Sequence, residues 1–72
     1  MNALLTAVKG FLSEIKANAQ KDPEAAHSLR DDLYVLTLTN IANGGLDPDD
    51  ACKLASEALK AQKIELKWEA CV

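Results

Sequence analysis

The chain has 72 residues, 11 acidic and 8 basic side chains for a formal net charge of −3, and 49% hydrophobic residues. That length gives one domain, residues 1–72. Such a domain buries only about 60% of its unfolded surface, so the expected extra stabilisation is oligomerisation or a partner. The apolar content excludes a disordered chain. The acidic balance argues against nucleic-acid binding, and no apolar run approaches the ~20 residues that span a bilayer.

The first predicted helix runs from Ala3 to Gln20. Leu4, Leu5, Val8, Phe11, Leu12 and Ile15 recur at i, i+3, i+4 and i+7 and make one core-facing stripe. Gly10 falls on the opposite side with Ala3, Ala7 and Ala17. Two readings stand: a small-residue face approached by a second backbone, or an alanine-rich solvent face carrying a tolerated glycine.

Asp22-Pro23 starts the second helix, predicted over Pro23–Asn43, and Gly44 stops it. Asp caps the free N–H groups, Pro has no N–H to lose at the first helical position, and Gly accepts the left-handed conformation of a helix end. Ala26, Leu29, Leu33, Leu36 and Asn40 form its core face. Tyr34, Leu38 and Ile41 form a second apolar side, flanked by Val35 and Ala42. A helix apolar on two sides needs cover on both, so these three residues are candidate contacts to a second copy or a partner. The competing reading makes "LYVLTLT" a strand over residues 33–39 on its β propensity, giving an α+β fold in which it pairs with strand 63–70.

Asp47-Pro48 opens the third helix, predicted over Pro48–Gln62, with Ala51, Leu54, Ala55, Ala58 and Leu59 inward and Lys53, Ser56, Glu57 and Lys60 outward. Continued past Gln62, the helical phase would bury Glu65 and Glu69. The pattern alternates instead, predicting a strand over Lys63–Ala70 with Ile64, Leu66 and Trp68 packed inward. Two copies paired antiparallel about Leu66 set Lys63 against Glu69, Glu65 against Lys67 and Ile64 against Trp68, each worth about 0.2–1 kcal/mol. Pairing within the chain, or addition to another protein's sheet, are the rival arrangements. The fold class expected is mainly α: a three-helix domain with one C-terminal strand paired across a homodimer two-fold.

Chemistry is thin. His27 has Glu24 and Asp31 one turn away, which reads as helix-surface ion pairing. Cys52 reads as a small buried hydrophobe and Cys71 as an exposed thiol, and two cysteines make no disulfide framework. Asp47, Asp49 and Asp50 lack the Gly and terminal Glu of a calcium loop, and no zinc ligand set or phosphate loop exists. No catalytic, metal or cofactor residues are therefore assigned, and the chain is expected not to be an enzyme. Free thiols and a start without a basic, cleavable leader predict a cytoplasmic protein. The expected function is protein-binding regulation as a homodimer (inhibitor, anti-activator, antitoxin-like partner or adaptor) through Ile64, Leu66, Trp68, Tyr34, Leu38 and Ile41. A dimeric DNA-binding regulator is the alternative.

Overall fold

In the computed structural model, which describes residues 2–66, three helices follow in chain order. These are α1 over Asn2–Asn18, α2 over Pro23–Ala42 and α3 over Pro48–Leu59, and α3 tightens into a 3-10 turn over Lys60–Lys63. Both Asp-Pro starts work as caps. The Asp22 carboxylate accepts from the Ala25 N–H at 3.2 Å and the Asp47 carboxylate from the Asp50 N–H at 2.9 Å. Each such cap stabilises its helix by roughly 0.5–2 kcal/mol relative to alanine. Gly44, at φ 73°, ends α2, its N–H donating to the Ile41 carbonyl at 3.1 Å.

Each helix places one apolar stripe in a common core. Val8, Leu12 and Ile15 come from α1, with Ala19 just beyond it. Ala26 and Leu33 come from α2, Leu54 and Ala58 from α3, and Ala61 and Leu66 from the segment that follows. Leu4, Phe11, Leu29 and Tyr34 pack half-buried around this set.

The strand proposed for residues 33–39 does not exist: that segment lies inside α2. Capping at both ends outweighs its β propensity, which reports packing more than backbone preference. Thr37 shows how the helix accommodates a β-branched polar residue. It is buried, and its hydroxyl donates to the Leu33 carbonyl one turn back at 2.9 Å. Asn40 is satisfied in the same way, its amide donating to the Leu36 carbonyl at 2.8 Å.

Three side-chain placements on α3 differ from expectation, one of them Glu57, whose side chain is 18% exposed rather than outward. Leu59 is 51% exposed rather than inward, because the buried stripe is narrow: Leu54, Ala58 and Ala61 follow i, i+4, i+7, and Leu59 lies off that line. Cys52 is exposed rather than buried, since it sits two positions, about 200°, round the helix from Leu54. Among the described residues nothing is near enough to Gly10 to touch an added Cβ.

Half of the expected strand over Lys63–Ala70, residues 67–70, lies outside the described residues. Lys63 itself closes the 3-10 turn, and Ile64 is the first extended residue, with φ −87° and ψ 111°.

Candidate functional site

The six residues singled out as contacts separate into different places. Tyr34, Leu38 and Ile41 come together on one flank of α2, because 34, 38 and 41 lie at i, i+4, i+7. Opposite them, α3 contributes Ala55 and Leu59, and the space between is an open apolar groove of about 430 Å³. Val35 and Leu38 are each 64% exposed, and Leu38 lines the groove. Residues 33–43 contain no charged side chain, so nothing on this part of α2 favours water strongly.

One polar atom of a groove-lining residue is out of balance. The Tyr34 hydroxyl is buried and accepts or donates no hydrogen bond among the described residues. A buried hydroxyl without a partner costs about 1–3 kcal/mol of desolvation.

Ile64 and Leu66 are elsewhere. Leu66 is fully buried in the core of its own chain, and the backbone carbonyl of Glu65 accepts from the Gln20 side chain at 3.2 Å. Ile64 is half-buried on the other flank of α3. Trp68 lies outside the described residues.

Ile64 borders a second concavity that the sequence reading missed. It lies between α1 and the end of α3, has a volume of about 490 Å³, and is walled by Lys9 and Lys16 on one side and Lys60 and Lys63 on the other. Glu57 is the one acidic residue among the described residues of its lining, and it is engaged: Lys60 Nζ stands 2.8 Å from its carboxylate. The hydrogen bond from Lys60 lowers the Glu57 pKa from its ordinary value, against a smaller opposing effect of desolvation, with the charges of Lys60 and Lys9 adding to the lowering. Net charge concealed this cleft, because acidic residues elsewhere outnumber the lysines. The available signal was the spacing of Lys9 and Lys16, two turns apart on one face of α1.

His27 sits on the exposed side of α2, with Asp31 Oδ2 3.4 Å from its Nε2 and the Arg30 guanidinium 3.1 Å from its Nδ1. It is part of a surface network, as its spacing predicted. Among the described residues no group of three His, Cys, Asp or Glu side chains is placed to hold a metal ion, and no helix is long and apolar enough to cross a membrane. Comparison of the chain with protein-family models, with curated proteins and with solved structures finds no match.

Proposed function

We propose that this chain acts by binding proteins rather than by catalysis, as a small cytoplasmic regulator (inhibitor, anti-activator, antitoxin-like partner or adaptor) that assembles as a homodimer. What supports the reading is the charge-free second half of α2, which leaves Val35 and Leu38 largely exposed, Leu38 lining the groove with Tyr34, Ile41 and Leu59. Burying aliphatic surface yields about 25 cal/mol per Å², and a helix face of this kind is stabilised by a second helix laid against it. The isologous contact places the same patch on both copies.

Sedimentation velocity of the wild type beside Leu38→Lys tests this. Leu38 is the better probe than Leu66, whose side chain is needed inside its own chain. A dimeric wild type and a monomeric variant with unchanged helical circular dichroism is the expected pair of results. A wild type that stays monomeric throughout the micromolar range overturns the homodimer.

A further inference from the structure

We infer that the cleft between α1 and the end of α3 is a binding site for a short acidic segment of a partner protein. This deepens the protein-binding reading and rests on it for the occupant being a protein, but it concerns a different surface from the α2/α3 groove.

The cleft gathers four of the chain's seven lysines, Lys9, Lys16, Lys60 and Lys63, around one concavity of about 490 Å³. All four are exposed, and Lys9, Lys16 and Lys63 make no ion pair among the described residues. Among the described residues four ammonium groups thus face one carboxylate, and that carboxylate already pairs with Lys60. Like charges held across a concavity repel one another in the free protein, and an anionic ligand relieves that repulsion.

The kind of anion follows from what surrounds the lysines. The positive surface is local: Asp22, Glu24, Asp31 and Asp32 on α2, and Asp47, Asp49 and Asp50 at the start of α3, make the remainder acidic. A long polyanion such as duplex DNA would have to pass those carboxylates, whereas a short segment would not. Among the described residues the lining has no arginine and no aromatic ring, so these residues supply neither the planar fork that grips a phosphate bidentately nor a platform on which a base stacks. Lysines on flexible stems instead suit several carboxylates spaced along a chain. Lys9 and Lys16 lie about 10.5 Å apart along the axis of α1, the rise of seven helical residues, which matches some three residues of extended peptide. Leu12 and Ile64 between the lysine walls give an apolar residue of that peptide somewhere to rest.

The test is fluorescence anisotropy with a labelled ten-residue peptide that carries four glutamates around two leucines, titrated with the full chain. The expected results are saturable binding that weakens steeply with salt, loss of about tenfold or more in affinity for Lys9→Glu/Lys16→Glu, and less than about twofold loss for Lys21→Glu, an exposed lysine outside the cleft. Circular dichroism checks that the variants remain helical. Leu38→Lys, which addresses the other groove, is expected to leave peptide affinity within about twofold, so failure of the homodimer and failure of the cleft are read separately. The inference is overturned if the glutamine version of the peptide binds equally well, or if Lys9→Glu/Lys16→Glu is without effect. It is also overturned if inorganic phosphate alone displaces the peptide at comparable concentration, which would make this a small-anion site, or if random duplex DNA binds more tightly than the peptide.

Discussion

The Gln20 side chain donates to the backbone carbonyl of Glu65 across 3.2 Å, joining the turn after α1 to the segment that leaves α3. The neighbouring residue, Leu66, is the last described and is fully buried. Together they hold the segment after α3 against the α1–α2 turn and the core. Leu66→Ala removes a fully buried leucine and is expected to destabilise the fold by about 2–5 kcal/mol, against at most about 1 kcal/mol for Gln20→Ala, whose bond is exposed to water. Urea denaturation of both variants measures the contrast. Equal effects would mean that Leu66 is not in the core.

Tyr34→Phe is expected to leave stability unchanged or to raise it by up to about 1 kcal/mol, because it removes a buried hydroxyl that has no partner among the described residues. Thermal unfolding at two protein concentrations checks this. A destabilised variant would mean that the hydroxyl is hydrogen-bonded in solution, and a loss that grows with protein concentration would place the bond across a dimer interface.

Two glycines predict opposite signs. Gly10 is in the middle of α1 with open space beside it, so Gly10→Ala is expected to stabilise by about 0.5–1 kcal/mol. Gly44 stands at φ 73°, where a Cβ is strained, so Gly44→Ala is expected to cost about 1–2 kcal/mol. Melting temperatures of the pair, one above wild type and one below, are the readout.

Glu57 has a lowered pKa in the folded chain, chiefly from the Lys60 hydrogen bond. Its contribution to stability is therefore fully present above the ordinary glutamate range near pH 4.3 and is lost as pH falls through the lower folded value. Glu57→Gln is expected to lower stability slightly at neutral pH and to converge with wild type in acid. Parallel denaturation curves at neutral and acidic pH, with a constant difference between the two proteins, would refute that assignment.

The helices were legible because their signals are local. Asp22-Pro23, Asp47-Pro48 and Gly44 act within one turn of themselves, and the stripe Val8, Leu12, Ile15 needs only the helical period. Tyr34, Leu38 and Ile41 were legible as a group for the same reason. What depends on how elements meet was not legible. Leu59 lies off the narrow stripe by which α3 touches its neighbours, a detail set by packing. Alternation correctly turned Leu66 inward, yet nothing in the sequence says that its burial is within its own chain. The lysine cleft joins residues about fifty positions apart, and whole-chain charge conceals it.

Leu66 also bears on synthesis. Chains are made N-terminus first, at about 5–20 residues per second, so the residues of all three helices are joined before Leu66, the last of the described core residues. A chain without Leu66 leaves Ile15, Leu33 and Leu54 short of one member of their buried cluster. A product released short of it would retain the caps and stripes of its helices yet lack the last of the described core side chains.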